Sequence, residues 1–176
     1  MQSLPDYLQP NLNLVFVGFN PGTRSARIGH YYAGPGNLFW PLLYETGLIP
    51  APLTYRDDAR LVEHGIGLTD LVKRSTPSSA DLSTTEARAG AVVLERKLLQ
   101  YSPVVVCFNG KGVYGWYRGL RQVALGVQDD TIGRSRVFVV PSTSARNGRI
   151  SRAEKAERFR TLARFVSRST ELAGRA

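Results

Sequence analysis

The sequence predicts an open α/β sandwich, on three observations. Short apolar runs alternate with segments of helical pattern. The runs are unbroken rather than alternating with polar residues, which suits strands buried on both faces, as in a parallel sheet. Two Ser-x-x-Glu capping boxes open the longest helical segments.

Leu14-Val15-Phe16-Val17 is the first predicted strand, and Gly18 ends it. Asn37 to Thr46 is predicted helical, as is Tyr55 to Glu63. Gly65-Ile66-Gly67-Leu68-Thr69 is a weaker second strand, because glycine packs poorly inside a strand. Ser83-Thr84-Thr85-Glu86 opens a long helix toward Tyr101: Ser83 accepts from a first-turn amide while Glu86 bonds back. Pro103 to Phe108 and Arg136 to Val140 are the third and fourth strands. Ser151-Arg152-Ala153-Glu154 opens the last helix. There Phe159, Leu162, Ala163 and Val166 recur at helical spacing and leave an arginine-rich outer face. No repeat or low-complexity linker divides the chain. At about 150 residues per domain, 1–176 is expected to be one domain.

Composition narrows the function classes. An apolar fraction of 43% excludes a disordered chain. The single cysteine, Cys107, excludes an internal disulfide framework and reads as a small buried hydrophobe within Val104 to Phe108. Met1 to Leu12 carries Asp6 and no basic residue, unlike a secretory signal. No apolar stretch approaches about 18 residues. The expected location is intracellular, cytoplasm or nucleoid in a bacterium, with no membrane partner. The formal charge is 23 − 14 = +9 and is unevenly placed. Residues 1–117 hold 10 basic and 9 acidic residues, whereas residues 118–176 hold 13 and 5. A one-sided basic surface is the electrostatic footprint of nucleic-acid binding, so the last third is expected to face a polyanion.

In open α/β sheets ligands bind beyond the carboxyl ends of the strands. The residues just past the predicted strands are polar and glycine-rich: Gly18-Phe19-Asn20-Pro21-Gly22, then Asp70, then Asn109-Gly110-Lys111, then Pro141-Ser142-Thr143-Ser144-Ala145-Arg146. Each alone reads as a turn. Together they predict one site. Two histidines, His30 and His64, make no metal signature with the lone cysteine, and neither a Walker loop nor a Gly-x-Ser-x-Gly elbow occurs. Asn20 can hold a water but is a poor proton acceptor. Asp70 can accept a proton and stabilise an oxocarbenium-like transition state. It can equally be the N-cap of a helix over Leu71-Val72-Lys73. Both readings of Asp70 stand on the residues alone. Ser142 to Arg146 offers hydroxyls, amides and a guanidinium suited to phosphate. Tyr31 and Tyr32 beside Gly34-Pro35-Gly36 can stack on a base or pack under the loop.

Five ordered pieces resemble the mismatch-specific uracil-DNA and thymine-DNA glycosylases: Gly18 to Gly22, Gly29 to Trp40, Asp81-Leu82-Ser83, Phe108 to Lys111 and Pro141 to Arg146. The resemblance implies a three-layer α/β/α sandwich around a short, mainly parallel central sheet. It implies a monofunctional glycosylase that needs no cofactor or metal. Such an enzyme flips a mismatched or damaged base, uracil opposite guanine above all, out of double-stranded DNA. It implies that Asn20 positions the attacking water, that Phe19, Tyr32, Asn37 and Asn109 form the base pocket, and that Lys111 borders it. Ser142, Thr143 and Ser144 would hold the DNA backbone, and Arg146, with Ala145 beside it, would fill the gap left by the flipped base. The family suggests a monomer. This sequence departs from it at Asp70, where the thymine branch has asparagine and the uracil branch lysine. Ser25 and Tyr31 replace an alanine and a histidine of the thymine branch. A hydrolase of free nucleosides or nucleotides and a non-catalytic reader of damaged DNA are the competing readings.

Overall fold

The computed structural model describes residues 3–175; the two ends of the predicted domain 1–176 lie outside them. Four strands are parallel: β1 (Leu14–Gly18), β2 (Ile66–Asp70), β3 (Val105–Asn109) and β5 (Ser135–Val140). A fifth, β4 (Gly126–Ile132), pairs antiparallel with β5 at the sheet edge. The strand order is β2-β1-β3-β5-β4. The chain leaves β1 toward β2 on one side and returns to β3 on the other. The crevice between the carboxyl ends of β1 and β3 is therefore a topological switch point, where such sheets bind ligands.

Among the described residues the five α-helices are α1 (Thr23–Ile28), α2 (Phe39–Glu45), α3 (Thr84–Tyr101), α4 (Lys111–Arg118) and α5 (Arg152–Ala173). Side chains alternate across each strand, so one sheet feeds two cores. Leu14, Phe16, Leu68, Cys107 and Phe138 pack with α2 and α5. Val15, Val17, Val106, Phe108 and Val139 pack with α3 and α4. Phe16 meets Phe39 edge-on at 5.0 Å and stacks on Phe159 at 6.0 Å, tying β1 to both helices of its face. This is the three-layer sandwich with a mainly parallel sheet. Among the described residues no helix is long and apolar enough to cross a membrane.

Several elements differ from expectation. The segment Tyr55–His64 is a 3-10 helix, opened by a Thr54–Asp57 capping box. Helix α1 and helix α4 were not foreseen; each starts after a glycine and has no side-chain cap. Strand β4 was not foreseen either: its residues alternate between half-buried and exposed, and Asp129 and Asp130 lie within it. Charged residues on an edge strand deter pairing with other chains but erase the apolar signal.

The basic last third also divides. Helix α5 begins beside the loop that follows β5, then runs away from it. Its later residues Val166, Ser167 and Thr170 line a hollow with Asn13, Leu14 and Ile66, at the amino ends of β1 and β2. Arg160 and Arg164 pair with Glu157 on its outer face. The expectation that the whole arginine-rich helix faces a polyanion beside the strand-end loops is therefore corrected. Only its first turn stands near them.

Candidate active site

The polar loops do converge. One cleft of about 730 Å³ is lined by residues following β1, β2, β3 and β5, among them Phe19, Asn20, Tyr32, Asn37, Asp70, Asn109, Ser142, Thr143, Ser144, Ala145 and Arg146. Lys111 is exposed at the first position of α4 and is not part of the lining. The expectation that it borders the pocket is corrected: the turn into α4 carries it outward.

Asp70 ends β2 and is 5% exposed. No helix follows it. The Leu71 and Val72 amides instead donate to the Gly18 and Phe19 carbonyls, each at 2.9 Å, so the chain continues alongside β1. The helix-cap reading of Asp70 is thereby overturned. Its Oδ2 is buried with no hydrogen-bond partner, as is the Tyr32 hydroxyl. A buried carboxylate oxygen without a partner is costly, and burial pushes the Asp70 carboxyl up to about 7. The Lys73 cation works against that rise, Asp6 adds to it, and the nearby Tyr31 hydroxyl opposes it.

Behind Asp70 lies a charged cluster. Asp6 pairs with Lys73 and with Lys97, and accepts from Thr69 Oγ1 at 2.6 Å. Lys73 also donates to the Tyr31 hydroxyl at 3.1 Å. Burial alone would raise the Asp6 carboxyl, but hydrogen bonds from Lys73, Lys97 and Thr69 hold it below its ordinary value. Asp6 is thus the anion of this cluster, and Asp70 the carboxyl poised near neutrality.

Asn20 follows β1 by two residues. Its Nδ2 donates to the Arg74 carbonyl at 2.9 Å and to Thr76 Oγ1 at 2.7 Å. Both amide hydrogens are thereby used, and Oδ1 remains as an acceptor.

The tyrosine loop is rigidly set. Buried Asp58 accepts from the Tyr31 amide at 2.9 Å and contacts His30 Nδ1 at 3.0 Å. Ser25 Oγ accepts from the Ala33 amide at 3.1 Å, and Trp40 Nε1 donates to the Tyr31 carbonyl at 3.1 Å. Tyr32 takes a φ of 55°, rare for a bulky residue, and its ring stacks on Phe39 at 3.9 Å. One ring face is therefore committed to the core. Asn37 Oδ1 accepts from the Phe39 amide at 3.0 Å and sets the start of α2. Phe19 meets the half-exposed Trp116 edge-on at 5.9 Å.

The loop after β5 is anchored rather than free. Asn109 Nδ2 donates to Thr143 Oγ1 at 2.9 Å, and Asn109 Oδ1 accepts from the Thr143 amide at 3.0 Å. The Thr143 carbonyl accepts from the Leu38 amide at 3.0 Å. At 1% exposure, Thr143 is the buried anchor of the loop, which corrects its expected place as a DNA-facing hydroxyl. Ser142 and Ser144, which line the cleft beside it, are half-buried. Buried Lys155 donates to the Asn147 carbonyl at 2.9 Å and holds the far end of the loop. Arg146 reaches across the cleft and donates to the Pro77 carbonyl. Residues 76–79, with Asp58 and Lys155, are the parts that sequence reasoning missed. The one local signal was Thr76-Pro77-Ser78, a turn composition. Among the described residues no group of three or more His, Cys, Asp or Glu side chains is placed to hold a metal ion.

A polar cleft at the switch point of a parallel sheet, with an amide and a buried carboxyl on adjacent strand ends, is a ligand-binding site in form. The model of the uracil DNA glycosylase superfamily matches residues 5–164, and the chain belongs to that family. A G/U mismatch-specific uracil DNA glycosylase of Schizosaccharomyces pombe is 35% identical over 182 aligned positions, covering 98% of this chain. The chain spans 56% of that relative's length. A Methanosarcina acetivorans protein, solved by NMR in solution and provisionally named a uracil DNA glycosylase, superposes with a TM-score of 0.64. It covers 94% of this chain and 98% of its own; at 24% identity it shows the shared fold.

Proposed function

We propose that this chain is a monofunctional DNA glycosylase that flips uracil, above all uracil opposite guanine, out of duplex DNA and hydrolyses its glycosidic bond. The observation that carries the proposal is the pairing of Asn20 and Asp70 on neighbouring strand ends of one cleft. Asn20, with both amide hydrogens engaged, offers Oδ1 to a hydrogen of the attacking water. Asp70, buried and unpaired at Oδ2, takes the proton that this water loses as its oxygen bonds to C1′. The electron pair of the broken C1′–N bond leaves with the base, which takes up a proton from solvent as Asp70 returns its own to solvent. The Asp70 charge also stabilises the positive sugar before water closes on it.

The rim fits duplex rather than a free nucleoside. The cleft continues past the pocket to Ser142, Ser144 and Arg146, groups suited to a phosphate backbone and to the gap left by a flipped base. The reading includes a monomer acting inside the cell on double-stranded DNA. A gel assay of duplexes bearing uracil or thymine opposite guanine, with alkali to cut abasic sites, tests it. Cleavage of the uracil strand supports the proposal. Release from a free nucleoside alone, or mismatch binding without abasic product, favours the competing readings.

A further inference from the structure

We infer that Thr76 is the positioning residue that fixes Asn20 with its carbonyl oxygen toward the attacking water; this rests on the hydrolytic reading above. The two ends of an asparagine amide have nearly the same shape, and only the hydrogen-bond network decides which faces where. The distinction matters to the chemistry. Oδ1 accepts a hydrogen from water and leaves the water's lone pairs free to attack. Nδ2 would donate to one of those lone pairs and blunt the nucleophile.

The strip from Arg74 to Ser78 presents only acceptors to Asn20. The Arg74 carbonyl cannot donate. Thr76 Oγ1 spends its single hydrogen on the Ser78 carbonyl at 2.6 Å, so toward Asn20 it can only accept. A flipped Asn20 would set its own oxygen against two acceptors. The strip is itself fixed. Thr76 is 3% exposed and its amide donates to the Pro21 carbonyl at 3.3 Å, beside a bridge from Gly22 to Thr76. The Arg74 guanidinium is held by Glu86 and by the Asp81 carbonyl, which ties the strip to the start of α3. Among the described residues Thr76 is the one side chain that hydrogen-bonds to Asn20.

The test uses Thr76→Val, which keeps the shape and removes the acceptor, and Thr76→Ser, which restores it. Under single turnover on a uracil–guanine duplex, Thr76→Val is expected to slow base release about tenfold, the loss of one oriented hydrogen bond, with duplex affinity unchanged. Thr76→Ser is expected to recover most of the rate. In an Asn20→Ala background Thr76→Val is expected to cost nothing further. Equal losses in Val and Ser, or an undiminished loss without Asn20, overturn the inference. The Asn20 side-chain amide, assigned in ¹⁵N spectra by its absence in Asn20→Ala, gives a readout free of activity. Its hydrogens are expected to exchange slowly in the wild type and in Thr76→Ser, and fast in Thr76→Val. Unaltered exchange in Thr76→Val overturns the clamp even in an active enzyme. Fast exchange in the wild type does so even where Thr76→Val fails to fold. A wild type with protected Asn20 hydrogens but no base release keeps the clamp and sinks the glycosylase reading.

Discussion

Gly18 and Asp70 stand opposite each other across β1 and β2, and Asp70 Oδ1 fills the space that a Cβ on Gly18 would need. The Tyr32 hydroxyl lies 3.3 Å from the same point. The buried carboxyl and the pocket tyrosine therefore meet over a residue with no side chain. Gly18→Ala must displace one of them. Overpacking of this kind costs about 1–3 kcal/mol of stability. A loss of base release greater than tenfold is also expected, because about 1 Å of misplacement at a reacting group costs about a hundredfold. Thermal unfolding and single-turnover rates check both. A wild-type rate in Gly18→Ala would show that Asp70 can move without consequence.

Asp70 is expected to make activity and stability respond to pH in opposite ways. Burial raises its carboxyl from an ordinary 3.8 to about 7. Between those values the folded protein keeps a proton that the unfolded chain has lost, so stability falls as pH rises through this window and then levels. Asp70→Asn removes that dependence. Its stability relative to the wild type is expected to improve from pH 4 to pH 8 by up to about 4 kcal/mol. With Asp70 as the proposed base, release is expected to rise with pH to a plateau above about 7. In Asp70→Asn the inflection should vanish and the rate fall about 10²–10⁴-fold, the usual worth of a general base. Chemical denaturation and rate–pH profiles of both proteins check this pair of opposite slopes.

Much of the fold was legible because its signals are local. The unbroken apolar runs of β1, β3 and β5 and the capping box at Ser83 mark elements whose residues speak for themselves. Helix α4 was hidden by Gly112 and Gly115, poor helix formers. Gly115 is needed there because a Cβ would come within 2.9 Å of the Leu120 carbonyl. Strand β4 was hidden by its acidic, half-exposed pattern. At the site, the groups just past the strand ends were legible, since strand topology alone brings them together. Their supports were not. Asp58, Thr76 and Lys155 act across 27, 56 and 8 residues of sequence, and nothing near them in the chain announces their partners. Thr143 was misplaced for a related reason: a Ser-Thr-Ser run looks equally polar throughout, and only the fold turns its middle member inward.

Arg146 donates to the Pro77 carbonyl across the cleft, which directs it over the pocket. Arg146→Ala is expected to weaken binding and slow flipping by about 1–3 kcal/mol, the cost of an unsupported, unstacked gap. Fluorescence of a base analogue beside the uracil reports flipping directly. A residue that only touched phosphate would instead lower the salt slope of affinity by about one unit and leave flipping unchanged.

The division of the basic charge predicts a divided salt response. Arg164 is exposed but paired with Glu157 on the outer face of α5, a helix that runs away from the cleft. Arg164→Gln is expected to leave the salt dependence of duplex affinity unchanged. Arg149→Gln, on the exposed approach to α5 beside the cleft loop, is expected to reduce the slope of log K against log salt by about 0.9. Binding titrations between low and moderate salt separate the two outcomes.

Asn20 and Asp70 are proposed to act together in hydrolysing a base from duplex DNA. Single-turnover release of uracil from a uracil–guanine duplex, measured for the wild type, Asn20→Ala and Asp70→Asn, tests it most directly. Rapid release by the wild type and a severe loss in each variant are expected, with duplex affinity retained. Release by Asp70→Asn at the wild-type rate, or none by the wild type, would contradict it.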